Sequence, residues 1–284
     1  MPIKDSAKKY MRVTARKTAK NKAVKGVFKS AIKKTREAVK AKDVATAQTE
    51  LKLAIKSLDK AVEKNIITIE DPIEYQLGGI SQMQVASRKG MTFVTALRHV
   101  LRQDPDVIMV GEVRDEETAR MAIQSSLTGH LVFSTLHTND SAGAISRLLD
   151  LGVEPYLVSS SLIAVLAQRL VRKICPECRQ LYKPAEHELR ELGIGADKAD
   201  GQFFTGAGCS KCFNTGYKGR TGIYELMMID EEVREMIHIR QTAGIIKQKA
   251  IEKGLQSLRM DGARKVIAGV TTIAEVLRVT QADV

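Results

Sequence analysis

The excess of positive charge in this chain lies in its first 64 residues. That segment holds 19 of the 45 Lys and Arg residues but only 6 of the 33 Asp and Glu residues, so the rest of the 284-residue chain is close to neutral. Such an asymmetry is typical of a polyanion-binding arm joined to a neutral body. We therefore divide the chain near Lys64 and expect two pieces of different chemistry.

Two helical patterns cover most of the basic segment. Apolar residues recur at helical spacing over residues 24–39 and again over residues 44–62. Polar residues separate the two patterns, and Asp43 is placed to cap the second helix. The segment is therefore predicted to form an antiparallel helical hairpin with a narrow apolar seam.

The bases crowd every outward face of this predicted hairpin. Residues 4–42 hold 15 bases against Asp5 and Glu37, and bound phosphates would relieve the repulsion and release counterions. A solvated charge run or flexible tail is the alternative interpretation. A membrane surface is a weaker one, because the segment lacks an aromatic-rich apolar face. With Tyr10 and Phe28 as its aromatic residues, the segment should bind RNA by its shape and backbone rather than by stacking on bases.

Three runs of residues in the basic segment carry a family resemblance. They are MPIKDSAKK at residues 1–9, SAIKK at residues 30–34 and the stretch 53–62. These runs resemble bacterial ribosomal protein S20, a small helical bundle that binds small-subunit ribosomal RNA. The resemblance implies that this RNA is the partner. The implied RNA-binding residues are Lys4, Lys8, Lys9, Arg12, Arg16, Lys17, Lys20, Lys22, Lys25, Lys33 and Lys34.

From residue 65 onward, short apolar runs alternate with helical patterns. The β-branched apolar runs lie at residues 66–69, 107–110 and 131–134, as expected of strands buried on both faces. Helical patterns lie at residues 92–102 and 116–127. Strands that alternate with helices predict a parallel α/β sheet, whose ligands bind beyond the carboxyl ends of the strands.

Polar side chains follow each predicted strand at its carboxyl end. In chain order they are Glu70, Asp71, Glu74, Glu112, Arg114 and His137. Carboxylates hold magnesium or orient water, whereas cationic or donor groups meet a γ-phosphate. The set therefore suits phosphoryl transfer, although each acid taken singly can instead cap the following helix.

Longer segments around these residues carry a second resemblance. They are ITIEDPIEY at residues 67–75, LRQDPDVIMVGEVRD at 101–115, TGHLVFSTLHTND at 128–140 and AQRLVR at 167–172. The first three resemble the Asp box, Walker B segment and His box of type II secretion and type IV pilus assembly ATPases, and the fourth fits a further motif of that family. The resemblance covers residues 65–284. It implies a partial RecA-like ATPase core over residues 65–170, ATP with magnesium as ligands, and homologous subunits in a hexameric ring at a membrane secretion machine.

The same resemblance implies roles for individual residues. Glu70 would be the general base, Glu112 would hold magnesium or orient water, and His137 would sense the γ-phosphate. The remaining implied ATP-binding residues are Asp71, Glu74, Arg98, Arg102, Arg114 and His130.

Four cysteines form two CxxC pairs. The pairs are Cys175 with Cys178 and Cys209 with Cys212, and 30 residues separate them. Two such knuckles supply four thiolates for a tetrahedral zinc ion, with redox pairing or core packing as the alternatives. Four thiolates leave no open position for water, so the predicted role is structural. We predict a zinc module over residues 171–225 and a helical region over residues 226–284.

The printed sequence contains no GxxxxGK[ST] phosphate-binding loop. In the resembled ATPases that loop lies upstream of the Asp box, where this chain has the S20-like segment. The loop supplies the backbone donors and the lysine that hold phosphates. We therefore predict that the chain does not hydrolyse ATP alone. The sequence of residues 63–67 fits the continuation of either family equally well. Such a shared stretch at the junction is what recombination, or an error in assembling the gene sequence, would produce.

The same sequence features indicate where the protein is located and limit its biological role to three alternatives. The first residues have no apolar core typical of a secretory signal, and no apolar run approaches the length of a membrane span, so we expect a cytoplasmic protein. Three functions remain open at this point. The chain is an RNA-binding protein whose ATPase part is a passenger, a motor subunit that works only with intact homologous subunits, or a non-functional chimera.

Overall fold

A computed structural model divides the chain into two compact units, residues 1–136 and residues 137–284. The structure describes residues 65–86, 90–194 and 202–280, together with Ser30, Lys33, Lys34 and Arg88. The predicted hairpin therefore lies outside the described residues, except that Ser30, Lys33 and Lys34 are helical and exposed. None of the described helices combines the length and the hydrophobicity that a bilayer-spanning segment requires.

The first unit is built on a four-stranded parallel sheet. Its strands are β1 (Ile66–Glu70), β2 (Ser81–Gln84), β3 (Val107–Val110) and β4 (Leu131–Ser134). Their order across the sheet is β2-β1-β3-β4, and all neighbours are parallel. The parallel sheet and three of its strands confirm the sequence prediction.

Two helices cover one face of this sheet. They are α1 (Phe93–Val100) and α2 (Glu116–Leu127), which confirm the two predicted helical patterns. Thr92 caps α1 by accepting a hydrogen bond from the Thr95 amide, and Asp115 caps α2 through the Thr118 amide. The apolar core between the helices and the sheet contains Ile67, Ile69, Ala96, Leu97, Val100, Ile108, Val110 and Ala122.

Strand β4 does not have the burial that its sequence predicts. The expectation that all three apolar runs are buried on both faces is wrong for this strand, because Phe133 is 50% exposed and Ser134 is exposed. Strand β4 is the outermost strand of the described sheet, with β3 as its neighbour on one side. It therefore lacks the second flanking strand that buries β1 and β3.

The second unit contains two antiparallel ribbons and seven described helices. The long ribbon joins β5 (Ala164–Ile174) to β8 (Tyr217–Met228), and the short ribbon joins β6 (Arg179–Tyr182) to β7 (Phe203–Gly206). The helices are α3 (Ser141–Asp150), α4 (Pro155–Ser161), α5 (Glu186–Leu192), α6 (Glu231–His238), α7 (Ala243–Glu252), α8 (Leu258–Ile267) and α9 (Ile273–Val279). The last four agree with the helical region predicted after residue 226.

The core of the second unit includes a buried carboxylate that joins two helix starts to the long ribbon. Glu225 of β8 is fully buried. Its Oε1 accepts a hydrogen bond from the Ser141 amide at the start of α3 (2.9 Å), and its Oε2 accepts one from the Leu258 amide at the start of α8 (3.2 Å). A carboxylate that satisfies amides at two helix N-termini is favourably placed, because those amides have no partner within their helices.

Candidate functional sites

The carboxyl ends of β1 and β3 form one polar edge of the parallel sheet. We call Glu70, Asp71, Glu112 and Arg114 the acidic edge. Glu70 is the last residue of β1, and Glu112 lies two residues beyond β3. Parallel strands end on the same side of a sheet, so the predicted convergence of these residues follows from the topology.

Backbone contacts hold the chain segments beyond these strands together. The Gly111 amide donates to the Ile69 carbonyl (2.7 Å), and the Thr135 hydroxyl donates to the Gly111 carbonyl (2.6 Å). The Val113 amide donates to the Thr135 carbonyl (3.0 Å). A Cβ atom on Gly111 would lie 2.9 Å from the Ile69 oxygen, so this close approach requires glycine.

Glu112 is paired with the arginine that follows it. Arg114 Nη2 lies 2.6 Å from Glu112 Oε1, and the side chain of Glu112 is 12% exposed. The hydrogen bond and the charge of Glu112 raise the pKa of Arg114, with a smaller contribution from the negative charge of Asp71. Arg114 therefore partly neutralises Glu112, and a cation bound at Glu112 would compete with Arg114.

Thr68 and Gln82 hold the carboxylate of Glu70 in place, and the sequence analysis did not identify either residue. Thr68 Oγ1 and Gln82 Nε2 both donate to Glu70 Oε1, at 2.5 Å and 2.9 Å. Gln82 also donates to the Tyr75 carbonyl and accepts from the Leu77 amide, which ties the loop after β1 to the sheet. The signal for this network is the β1–β2 register, which places Thr68 opposite Gln82.

The other predicted ATP-binding residues of the first unit are spread more widely. Glu74 is exposed in the loop after β1, and Arg102 is exposed just beyond α1. Arg98 pairs at 2.8 Å with Glu117 in the first turn of α2, on the acidic-edge side of the sheet. His130 precedes β4 at the opposite edge, where its Nδ1 lies 2.9 Å from the Ser125 carbonyl oxygen. The structure therefore does not bring His130 to the acidic edge.

The predicted γ-phosphate sensor belongs to the second unit. His137 is its first residue and is exposed. Three residues later, Asp140 caps α3 by accepting from the Gly143 amide (2.8 Å), and its other oxygen lies 3.2 Å from Lys247 Nζ. The helix cap fixes the end of the segment that carries His137, whose own role stays a prediction.

The four cysteines converge in one cluster in the second unit. Their Sγ atoms all lie within 4.8 Å of one another. Four sulfurs bound tetrahedrally at 2.3 Å from zinc would stand about 3.8 Å apart. The sulfur–sulfur distances are 4.0 Å for Cys175–Cys209, 3.8 Å for Cys178–Cys212 and 3.7 Å for Cys209–Cys212. The cluster thus fits a zinc ion.

The electrostatics of the cluster differ between its thiols. Burial raises the pKa of Cys178 to about 12, and the neighbouring sulfurs add to the shift. Burial also acts to raise the pKa of Cys212, but the backbone amides of Cys209 and Gly216 outweigh it and lower the pKa to about 6. Amides that point at a sulfur stabilise a thiolate, which is the form that binds a metal.

Two glycines close the base of the loop that carries Cys209 and Cys212. A Cβ atom on Gly206 would lie 2.0 Å from the Gly216 carbonyl oxygen, which accepts a hydrogen bond from the Cys175 amide (2.9 Å). The Ala207 amide donates to the Cys178 carbonyl (2.9 Å). The cysteines are therefore held by strand ends and backbone bonds as well as by any bound metal.

Comparison with protein-family models identifies the family to which most of the chain belongs. The model of the Type II/IV secretion system protein family matches residues 46–278. The chain belongs to this family. The model of the Ribosomal protein S20 family matches residues 3–70, so the two matches overlap over residues 46–70 and both resemblances are confirmed.

Individual relatives support the same assignment over part of their length. Type II secretion system protein E of Pseudomonas aeruginosa is 53% identical over 220 residues, which cover 78% of this chain and 43% of the relative. Type IV pilus assembly ATPase PilB of Thermus thermophilus is 51% identical over 216 residues, which cover 76% of this chain and 24% of the relative. The chain thus spans less than half the length of these relatives.

Two solved structures share the fold of this chain. The structure of the pilus retraction motor PilT with bound ADP superposes on this chain with a TM-score of 0.56 at 27% sequence identity. The superposition covers 81% of this chain and 57% of the PilT chain. The structure of the ATPase DotB of Legionella pneumophila superposes with a TM-score of 0.54 at 20% sequence identity. This superposition covers 83% of this chain and 57% of the DotB chain. The second likeness shows the fold alone.

Proposed function

We propose that this chain binds small-subunit ribosomal RNA through residues 1–64 and does not hydrolyse ATP on its own. The observation that carries the first half is the concentration of 19 bases in the segment that the S20 family model matches. Lys33 and Lys34, its described lysines, are exposed on a helix. An exposed cationic helix is the kind of surface that neutralises RNA phosphates.

The composition of the acidic edge supports the second half of the proposal. Three of its four members are carboxylates, and its arginine is paired with Glu112. A triphosphate needs backbone amides and a lysine as well as magnesium ligands, and the printed sequence has no GxxxxGK[ST] loop to supply them. On this proposal, Glu70, Glu112 and His137 retain the inherited catalytic positions without turning over ATP.

Salt-dependent RNA binding tests the first half. Affinity of the full chain for a labelled small-subunit ribosomal RNA fragment should fall steeply with salt, by roughly 0.7 to 0.9 of a logarithmic unit per phosphate contact for each tenfold increase in salt. Removing residues 1–42 should abolish binding. The control is a variant in which the exposed lysines Lys173, Lys218 and Lys253 are replaced by glutamine. This variant should bind the RNA with unchanged affinity and unchanged salt dependence. Undiminished binding after the deletion would contradict the proposal.

Phosphate release tests the second half. The purified chain should release no phosphate from ATP above the buffer background. Release that disappears in Glu112→Gln would show that the acidic edge is catalytic in this chain, and it would overturn this half of the proposal.

We also propose that the cysteine cluster binds one structural zinc ion. The sulfur spacing and the burial of Cys175 and Cys212 support this assignment. The zinc module would then occupy residues 171–225, between an ATPase core at 65–170 and a helical region at 226–284. Zinc there would cross-link the two knuckles and leave no position for a reacting water.

A second candidate function is a motor subunit that acts with intact homologous subunits at a secretion or pilus machine. The family match over residues 46–278 and the retained acidic edge favour it. It predicts co-assembly with an intact homologue in the cytoplasm and ATP turnover in the mixed assembly only.

A further inference from the structure

An arginine of the AQRLVR segment in β5 binds the chain next to the predicted γ-phosphate sensor. Arg169 Nη2 donates to the Thr138 carbonyl (3.0 Å) and to Asn139 Oδ1 (3.2 Å). Thr138 and Asn139 directly follow His137, and all four residues belong to the second unit. The AQRLVR segment is thereby linked to the short stretch of chain that carries His137.

Arg169 reaches this stretch from the inner face of the long ribbon. Side chains alternate between the two faces of a strand, and those of Ala167, Arg169 and Val171 lie on the less exposed face of β5. Arg169 stands opposite Ile223, and Ala167 stands opposite Glu225. Arg169 and Glu225 are therefore diagonal neighbours on one face. The ribbon presents a cation and a carboxylate to the same part of the chain.

The contacts of residues 138–141 divide between the two ends of this stretch. Asp140 lies 3.2 Å from Lys247 Nζ, and the Ser141 amide donates to Glu225, so these two residues are held at the start of α3. Arg169 binds the other end, beside His137. Its guanidinium is therefore the contact that fixes the chain at the residue next to the predicted sensor.

We propose that Arg169 is a positioning residue, which fixes the peptide group after Thr138 and so limits the positions that the His137 side chain can reach. The proposal rests on the second candidate function, in which His137 contacts a γ-phosphate. A group that contacts a transferring phosphoryl must be held within a fraction of an ångström. A guanidinium suits this task, because its rigid planar fork binds its acceptors in one geometry.

The other arginine of the segment separates positioning from plain stability. Arg172 pairs with the buried carboxylate of Glu275 and lies over the ring of Tyr217. Arg172→Gln removes a guanidinium that neutralises Glu275, so it should lower the melting temperature at least as far as Arg169→Gln does. It leaves the contacts of residues 138–141 in place. The two variants are therefore matched in strand and in chemistry but differ in what they release.

Nuclear magnetic resonance of the full zinc-loaded chain, with its five histidine rings carrying ¹³C, tests the proposal. His137→Gln assigns the His137 ring signal. Arg169→Gln should shift or broaden this signal and leave the other four unchanged. Arg172→Gln should leave all five unchanged at a temperature where the variant is folded. Arg169→Lys keeps the charge without the planar fork, so it should restore the signal in part.

Asn139→Ala is a second variant that leaves the ribbon intact. It removes one of the two acceptors of Arg169 and lies at an exposed position, so it does not disturb the core. The His137 signal should move in the same direction as in Arg169→Gln, but by less. This variant decides the proposal if Arg169→Gln does not fold.

The consequence for ATP is measured separately, in mixtures of this chain with the intact Pseudomonas aeruginosa relative. The second candidate function predicts that the unmodified chain adds turnover to the mixture. Arg169→Gln should add on the order of tenfold less, as expected when a group at a transferring phosphoryl is slightly displaced. If the unmodified chain adds no turnover, the second candidate function fails, and the His137 signal still decides whether Arg169 positions this residue.

Two results would overturn the proposal. In the first, the His137 signal of folded Arg169→Gln, or of Asn139→Ala where Arg169→Gln does not fold, coincides with that of the unmodified chain. In the second, Arg172→Gln displaces the signal as far as Arg169→Gln does, which would show that the signal follows the stability of the whole second unit.

Discussion

Arg172 Nη2 lies 2.6 Å from Oε1 of Glu275, a carboxylate whose side chain is 2% exposed. The Arg172 amide donates to Glu275 Oε2 (3.0 Å), and the Arg278 guanidinium contacts both carboxylate oxygens. Burial alone would raise the pKa of Glu275, but these hydrogen bonds outweigh it and lower the pKa to about 2. The pair joins β5 to α9 in the core of the second unit.

This pair makes the stability of the second unit depend on acid pH. The pKa of Glu275 falls from 4.5 to about 2 on folding, so its contribution is complete above pH 4.5 and is lost as the pH falls toward 2. The shift corresponds to on the order of 3 kcal/mol. Glu275→Gln should therefore lower the free energy of unfolding at pH 7 by about that amount and flatten its decline between pH 5 and 2.

Urea unfolding at several pH values measures this effect. Glu186→Gln is the control, because Glu186 pairs with Arg190 on the surface at 86% exposure and exposed pairs contribute little. An unfolding profile for Glu275→Gln as steep in acid as that of the unmodified chain would show that another group governs the pH dependence.

Metal removal should loosen the cysteine cluster. We expect one zinc per chain by elemental analysis, and a chelator should lower the melting temperature and make four thiols reactive. Cys178→Ser should release the metal, since one of four ligands is lost. The control is Ser210→Ala in the other CxxC turn, between Cys209 and Cys212, which is exposed and should keep both zinc and stability. Purification without metal, or with disulfides between the pairs, would favour the redox interpretation.

The sequence predicts those parts of the fold that a local pattern specifies. Strands β1, β3 and β4 have β-branched apolar runs, α1 and α2 have apolar residues at helical spacing, and the CxxC spacing identifies the four ligands. Strand β2 has no such pattern, because SQMQ becomes a strand by pairing with β1. The exposure of β4 differs from the sequence prediction for a related reason, since it depends on which strands flank β4 and not on the residues of β4 alone.

The candidate site divides in the same way. Glu70 and Glu112 follow predicted strands, so topology alone places them at one edge. Thr68 and Gln82 could not be assigned to Glu70, because their contact depends on the register of a strand that the sequence did not reveal. The close approach of Gly206 and Gly216 likewise depends on how the two ends of the loop that carries Cys209 and Cys212 pack against each other.

Gln82 should control the order of the loop after β1. Its amide group binds Glu70, the Tyr75 carbonyl and the Leu77 amide at 2.7–3.0 Å. Gln82→Leu should leave the Tyr75 carbonyl and the Leu77 amide without this partner and Glu70 with Thr68 as its remaining donor of the two, and it should destabilise the first unit by about 1–2 kcal/mol. Limited proteolysis should then cleave within residues 71–80 sooner than in the unmodified chain. Gln84→Leu on the same strand should not accelerate cleavage, and equal cleavage in both variants would argue against this role.

A methyl group at Gly206 should open the base of the loop that carries Cys209 and Cys212. The added Cβ would stand 2.0 Å from the Gly216 carbonyl oxygen, a backbone atom that also accepts from the Cys175 amide. Gly206→Ala should therefore destabilise the second unit by about 1–3 kcal/mol and weaken zinc binding, because backbone must move to relieve the overlap. Gly244→Ala in α7 is the matched control, since its Cβ meets nothing within 4 Å and alanine favours the helix. Thermal melting and competition with a zinc chelator measure both effects. A Gly206→Ala chain that melts at the same temperature as the unmodified chain and holds zinc as tightly would show that the two ends of this loop can move apart without cost.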